Sequence, residues 1–258
     1  MTLLSVNAGR AKAVGYTDSA SGTTGIDKRP VDGPVRIQAP DPGGVGGSGV
    51  AGDAVCDPRF HGGADRAVYA FAREDLDRWE RELGRELANG SFGENLTTSG
   101  LDVNGALIGE RWRIGEDVVV EVTGGRIPCR TFQGHLEEKG VDAKGWVRRF
   151  TQAEAGPGAL LRVIEPGEVR AGDPVTVVHR PDHGVTVAFL HRAATTERRL
   201  LPETLVAAAW MESGLLALAR QYAEKYGDGD GDGDRAERGE RGVRGVGAGT
   251  GSAYGNGG

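Results

Sequence analysis

Short β-type runs, separated by turns rich in glycine and proline, occupy the first 180 residues of the chain. The 258 residues include 44 glycines and 11 prolines, which interrupt regular structure and favour turns. A regular strand–helix–strand array would need long helical segments between the strands, and this part of the chain has few of them. We therefore predict a mixed α/β, β-rich fold. The candidate strands are Leu3–Asn7, Val35–Ala39, Ala67–Phe71, Val118–Thr123, Leu160–Ile164 and Pro174–His179.

Two amphipathic helices are predicted within this strand-rich part. The segment Glu74–Leu87 places apolar residues at spacings of three and four, with charged residues on the opposite face. The segment Gly145–Ala153 places Trp146 and Phe150 on one side. Both helices are expected to pack an apolar face against the sheet.

The pattern changes after Pro181, where three short Ala- and Leu-rich segments predict helices at Val185–Ala194, Pro202–Trp210 and Gly214–Tyr226. The last stretch has many glycines and few apolar residues to bury, so we expect it to be disordered. The predicted organisation is a main domain at 1–181, a small three-helix domain at 182–226 and a Gly-, Asp- and Arg-rich tail at 227–258.

Charge and hydropathy exclude several classes of partner. The net charge of −6 leaves no excess of Lys and Arg to neutralise a nucleic-acid backbone, so no nucleic-acid partner is expected. No run approaches the roughly 18 to 20 apolar residues of a membrane helix, and the N-terminal apolar run is too short for a signal peptide. We expect a cytoplasmic protein without a membrane partner. In that compartment, a structural disulfide between Cys56 and Cys129 is disfavoured.

Some familiar motifs are incomplete or absent. Gly44, Gly46 and Gly49 have the spacing of a dinucleotide-binding loop, but neither a strand precedes them nor a helix follows. The sequence has no G-x-S-x-G nucleophile elbow and no H-E-x-x-H zinc motif. These absences disfavour a serine hydrolase and a zinc enzyme.

The stretch GGRIPCR at 124–130 is the most informative segment. A strand is predicted to end there, and Pro128 fixes the backbone just before Cys129. Arg126 and Arg130 would favour the thiolate form of that cysteine. Three interpretations follow from the chemistry: an inert buried cysteine, a nucleophile with His61 or His135 as its base, and a thiolate ligand to a metal or cofactor whose anionic part the arginines hold.

Three further loops pair glycines with polar or cationic residues, at 24–35, 57–69 and 91–101. Each has an ordinary structural explanation: Lys28 and Arg29 in a solvated turn, His61 as a structural histidine, and Asn95 as a cap. Four such loops in one strand-rich domain nevertheless suggest a shared pocket for a polyanion.

The order of these motifs resembles the MOSC domain family, in particular its bacterial YiiM-like group. The resemblance rests on KRPV-x-GPV, D-x-x-x-HGG-x-DRAVY, FGENLTT-x-GL, IGERWRIG, R-x-PC and GEVRAGDPVTVVHRP, and runs from about residue 3 to 181. It implies a MOSC-type β-barrel with peripheral helices, followed by a small three-helix domain. Gly124 and Gly125 depart from the pattern, which would favour a less flexible pair before R-x-PC.

The resemblance also implies a bound molybdenum cofactor, with molybdenum attached to the pterin molybdopterin. Cys129 would be the protein ligand to molybdenum and the catalytic cysteine. Lys28 and Arg29 would lie near the pterin phosphate, and His61, Asn95 and Arg126 would line the cofactor pocket.

The expected activity is the reduction of small N-hydroxylated compounds, such as hydroxylaminopurine-type bases, to amines. The chain has only two cysteines, too few for an iron–sulfur cluster, and no flavin motif, so a separate flavoprotein or ferredoxin-type reductase would donate electrons. The alternative is a cofactor or sulfur carrier without turnover of its own, with a persulfide on Cys129. A cysteine hydrolase is a third, weaker interpretation.

Overall fold

The computed structural model describes residues 1–40, 47–57 and 61–226. Its main feature is an eight-stranded sheet with the order β12-β8-β9-β10-β6-β7-β1-β4, in which only β6 and β7 run parallel. Two small antiparallel pairs, β5 with β11 and β2 with β3, complete the β-structure of the described residues. The strands are β1 Thr2–Ala8, β2 Lys12–Ala13, β3 Thr23–Thr24, β4 Arg29–Pro30, β5 Val35–Ile37, β6 Val68–Ala72, β7 Leu96–Ser99, β8 Arg111–Ile114, β9 Val118–Gly125, β10 Ala159–Glu165, β11 Gly167–Val169 and β12 Val175–His179.

The two ends of the large sheet meet. The amide of Leu3 donates to the carbonyl of Asp173 at 2.9 Å, and the amide of Val175 donates to the carbonyl of Met1 at 3.0 Å. These bonds join the start of β1 to the residues at the start of β12, on the far side of the sheet order. The sheet therefore curls toward closure, as the predicted barrel-type architecture requires.

Helices lie on the periphery of the sheet. The α-helices are α1 Arg73–Leu83, α2 Arg130–Glu138, α3 Trp146–Gln152, α4 Val187–Thr195 and α5 Ser213–Tyr226, and 3₁₀ turns occupy Ala64–Arg66, Arg198–Leu200 and Pro202–Ala207. The predicted mixed, β-rich fold class is thus confirmed. Among the described residues, none of the helices combines the length and apolarity needed to cross a bilayer.

The six predicted strands all form, and each end lies within two residues of the prediction. The first predicted helix ends earlier than its apolar pattern suggests, because Gly84 adopts a left-handed conformation with φ of 66° and caps α1 after Leu83. The second predicted segment of the C-terminal part forms a 3₁₀ turn at Pro202–Ala207 rather than an α-helix. The predicted tail at 227–258 lies outside the described residues.

The buried apolar residues form two clusters. One fills the inside of the large sheet and continues into the C-terminal helices, where Val187, Leu190, Leu201 and Leu215 are at most 1 % exposed. The core therefore crosses the predicted boundary at residue 181. The second cluster is largely aromatic and joins β6, α1, α2 and α3 around the fully buried Phe92.

Candidate functional site

An open cavity of about 140 Å³ lies where the loops before β6, before β7 and after β9 converge. Five of the six predicted site residues line it: Lys28, His61, Asn95, Arg126 and Cys129.

Arg29 does not line this cavity. It lies in β4 with its side chain 64 % exposed, and its guanidinium is 3.1 Å from the carboxylate of Asp27. Lys28, which immediately precedes β4, has a side chain that is only 8 % exposed, in contrast to that of Arg29. The structure brings Lys28 into the site and leaves Arg29 at the surface.

Cys129 lies at the junction between β9 and α2. Its backbone is extended, with φ of −135° and ψ of 169°, and its carbonyl accepts the amides of Phe132 and Gln133 at 3.1 Å each. Cys129 is thus the N-terminal capping residue of α2, a helix that the sequence pattern did not predict. A helix N-terminus carries partial positive charge and favours an anionic group at this position.

The thiol of Cys129 is tuned toward the thiolate. Burial raises its pKa, but a hydrogen bond from the His61 side chain and the electrostatic effects of Arg126 and His61 outweigh burial and lower the pKa to about 7. His61 itself is exposed at the edge of the cavity. Of the two histidines predicted as a base for Cys129, His61 is therefore the one that contacts it.

His135 takes a different place, buried in α2 at 2 % exposure. Its burial lowers its pKa to about 4. It acts as a core residue of α2 rather than as a lining residue of the cavity.

Arg126 is held rigidly on the cavity wall. Its guanidinium lies 4.3 Å from the ring centre of Phe132 and 5.1 Å from that of Tyr69, and it donates a hydrogen bond to the carbonyl of Phe92. Stacking against two aromatic rings fixes the plane of a guanidinium and reduces the entropy lost when it binds an anion. The predicted role of Arg126 in holding an anionic group fits this geometry.

Lys28 and Asp53 form a buried ion pair, with side chains 8 % and 1 % exposed. Burial lowers the pKa of Lys28, and the neighbouring Asp53 acts in the opposite direction. Asp53 also accepts hydrogen bonds from the amide of Gly9 at 2.8 Å, from Ser48 Oγ at 2.7 Å and from Asn95 Nδ2 at 2.9 Å. One carboxylate therefore joins four segments that are distant in the sequence.

Asn95 serves this same network. Its Nδ2 donates to Asp53 and to the carbonyl of Asn7 at 3.2 Å, while its Oδ1 accepts the amide of Tyr69 at 3.2 Å. The neighbouring Glu94, fully buried, accepts the amide of Phe92 at 3.0 Å, and burial raises its pKa. The loop at 90–95 is thus fixed from within, and the side-chain amide of Asn95 is held by protein partners at the cavity wall.

The lining residues that the sequence analysis did not assign to the site include Cys56, Asp53 and Arg66. Arg66 belongs to the motif HGG-x-DR, so the family resemblance could have identified it. Asp53 belongs to the segment VAGDAV, which matches no motif. Cys56 and Cys129 are both free thiols. Both cysteines of the chain therefore line one cavity.

A family model for the MOSC domain matches residues 57–176. The uncharacterized protein YflK of Bacillus subtilis is 31 % identical over 219 residues, which cover 82 % of this chain and 92 % of YflK. Protein YiiM of Escherichia coli is 32 % identical over 135 residues, 51 % of this chain and 57 % of YiiM. A protein named Reductase from Gibberella moniliformis is 31 % identical over 184 residues, 69 % of this chain but 29 % of that protein.

Among solved structures, YiiM from Geobacillus stearothermophilus superposes with a TM-score of 0.66 at 22 % identity, over 86 % of this chain and 98 % of that one. At this identity the likeness concerns the fold.

Proposed function

Since the chain belongs to the MOSC domain family, we propose that it is a molybdenum-cofactor-dependent oxidoreductase that reduces N-hydroxylated compounds to amines. The observation that carries the proposal is a thiolate-prone Cys129 in a cavity lined by Arg126 and Lys28. The name of one relative, Reductase, supports reductive chemistry. Hydroxylaminopurine-type bases are the proposed substrates.

The residues around the cavity fit such a cofactor. A thiolate is a soft donor that suits molybdenum, and guanidinium and ammonium groups suit a phosphate. Glycines form parts of the wall: a Cβ at position 93 would lie 2.9 Å from Ile26 Cγ1 and 3.2 Å from Arg126 Nη1. A larger residue at position 93 would push against the side chain that is proposed to hold the anion.

When bound, a molybdenum cofactor supplies two-electron chemistry that removes oxygen from a substrate. Cys129 would hold the metal, Arg126 would hold the anionic part of the pterin with Lys28 nearby, and Asn95 and His61 would line the pocket. The overall reaction converts R–NHOH, two electrons and two protons into R–NH₂ and water. His61, exposed to solvent and hydrogen-bonded to Cys129, offers a path by which protons reach the cavity.

The electrons are proposed to come from a separate flavoprotein or ferredoxin-type reductase. Two cysteines cannot ligate an iron–sulfur cluster of the four-cysteine type, and both are placed in the cavity. The partner can be replaced by a reduced viologen dye in an assay.

The first experiment compares molybdenum and pterin per chain in wild type, Cys129→Ala and Cys56→Ala, all from a host that makes the cofactor. We expect near-stoichiometric metal in wild type, a sharp loss in Cys129→Ala, and retention in Cys56→Ala, which removes the other cavity thiol. Loaded wild type should then reduce an N-hydroxylated base with the reduced dye. A fully loaded protein without this activity would refute the proposed substrate class.

A carrier function is the second candidate, because a cysteine with a pKa of about 7 in an open cavity also suits a persulfide. Intact-mass measurement separates the two candidates. A reducible mass gain of one sulfur on Cys129, in a chain without molybdenum, would favour the carrier.

A further inference from the structure

Arg66 connects the cavity to the C-terminal helices. It ends the 3₁₀ turn Ala64–Arg66, lines the cavity, and has a side chain that is 20 % exposed. Its Nη2 lies 2.9 Å from Oε1 of Glu212, a residue that is itself only 4 % exposed. A guanidinium has a rigid plane with five donors, so a carboxylate on one edge fixes the direction in which the whole group points.

Glu212 is fixed in turn at the beginning of α5. Its carboxylate accepts the amides of Gly214 and Leu215 at 2.9 Å each, and its own amide donates to the carbonyl of Thr123 at 2.8 Å. Glu212 therefore caps α5 and joins it to β9, the strand that leads to Arg126 and Cys129.

The neighbouring Asp65 reinforces the same junction. Its carboxylate accepts the amide of Ser213 at 3.1 Å and Arg162 Nη2 at 2.6 Å, and its carbonyl accepts Thr123 Oγ1 at 2.6 Å. Asp65 and Arg66 therefore join the loop before β6 to strand β9 and to the start of α5.

Gly124 allows this close approach. A Cβ at position 124 would lie 2.7 Å from Leu215 Cδ1 and 3.8 Å from Glu212 Cβ. The glycine pair before R-x-PC, a departure from the family pattern, thus provides room for α5 against the strand that carries the site. The glycines are buried in β9, which gives them a packing role.

We propose that Glu212 is a positioning residue that aims Arg66 at the anionic part of the ligand, so that the C-terminal helical segment completes the cofactor site. The inference rests on the proposed function for the identity of the ligand, a pterin phosphate. In this proposal Arg66 binds the anion, and its binding depends on Glu212, which lies outside the cavity.

The test uses the full chain with Glu212→Gln, which keeps a cap acceptor and the side-chain size but removes the charge that aligns Arg66. We expect molybdenum and pterin retention after dialysis to fall about tenfold, the lower end of the effect typical for residues that orient a binding group. Arg66→Lys, which keeps the charge but loses the planar fork, should fall similarly. If Glu212→Gln does not fold, Glu212→Asp takes its place, because it keeps the charge and shortens the reach to Arg66; its retention should fall as well.

The matched control is Glu197→Gln. It removes another Arg–Glu pair of the C-terminal segment, in which Arg192 Nε lies 2.7 Å from Glu197 Oε1, away from the cavity lining. This variant should retain the cofactor as wild type does. Equal retention in Glu212→Gln and Glu197→Gln would overturn the inference, as would loss in Arg66→Lys alone, because Arg66 would then act without Glu212.

A second readout separates this inference from the proposed function. Inorganic pyrophosphate titrated into cofactor-free protein by calorimetry should bind about tenfold more weakly to Glu212→Gln than to Glu197→Gln. A wild type without molybdenum would refute the proposed cofactor, yet the pyrophosphate result would still decide the role of Glu212. Equal pyrophosphate affinity in both variants would refute that role.

Discussion

Asp53 changes the interpretation of the KRPV motif, because it forms a buried ion pair with Lys28. The KRPV motif predicted two cations beside a phosphate, but one of them is paired with a carboxylate inside the protein and the other is at the surface. The charge available to a ligand at this end of the cavity is therefore smaller than the motif suggests. Arg126 and Arg66 become the stronger candidates for binding the anion.

Replacing Asp53 by Asn should destabilise the protein strongly. Lys28 would be left as a buried charge without its partner, which typically costs about 3–5 kcal/mol in free energy of unfolding. Urea denaturation of cofactor-free protein measures the change. Because Lys28→Met removes that charge, the double variant should recover much of the loss; a double variant as unstable as the sum of both single variants would show that the pair itself is not the cause.

At the scale of elements, the sequence predicted what local patterning controls. Strand β9 was predicted because its run of valines favours a buried strand. Helix α2 was missed because Gly134 interrupts its pattern. The structure explains that glycine: a Cβ there would lie 2.4 Å from Tyr16 Cβ, a contact between segments more than 100 residues apart.

Gly25 lies where two loops of the cavity wall come into close contact. An added Cβ would lie 2.1 Å from the backbone carbonyl oxygen of Ala54, and both residues line the cavity. Gly25→Ala should therefore lower the free energy of unfolding by roughly 1–3 kcal/mol or more and reduce molybdenum content. Gly15→Ala, at a position with no atom within 4 Å of the added Cβ, is the control and should do neither.

Helix α4 carries a pH-dependent contribution to stability. His191 packs edge-on against Phe150 with 6.4 Å between ring centres, neither of its ring nitrogens has a hydrogen-bond partner within the described part of the chain, and burial lowers its pKa to about 4. Below its ordinary pKa near 6.5 the unfolded chain binds a proton that the folded chain does not. Stability should therefore fall between pH 6.5 and about 4, by about 3 kcal/mol at full effect.

The check is urea denaturation at a series of pH values for wild type, His191→Leu and the exposed control His179→Gln. In His191→Leu the free energy of unfolding should fall less between pH 6.5 and about 4. The remaining fall includes the contribution of His135, whose burial also lowers its pKa to about 4. An unchanged pH slope in His191→Leu would argue against the buried neutral histidine.

At the scale of the whole molecule, the sequence predicted the family and five residues that line one cavity, but not the residues that hold the cavity together. Asp53 connects segments around residues 9, 28, 48 and 95, and Glu212 connects α5 to a loop almost 150 residues earlier. Such contacts leave no periodic or local trace in a single sequence. They can be seen only when the chain is folded.

The last prediction follows from the continuity of the core across residue 181. In a chain that ends there, Val187, Leu190, Leu201 and Leu215 would no longer cover the inside of the sheet. Each contributes about 1.5–3 kcal/mol when buried, against a total stability of about 5–15 kcal/mol for a typical domain. The 1–181 chain should therefore lack a cooperative thermal transition, while the chain ending at residue 226 keeps one. A cooperative 1–181 chain would show that the sheet folds alone, and if it also bound pyrophosphate as the longer chain does, the C-terminal helices would have no part in the site.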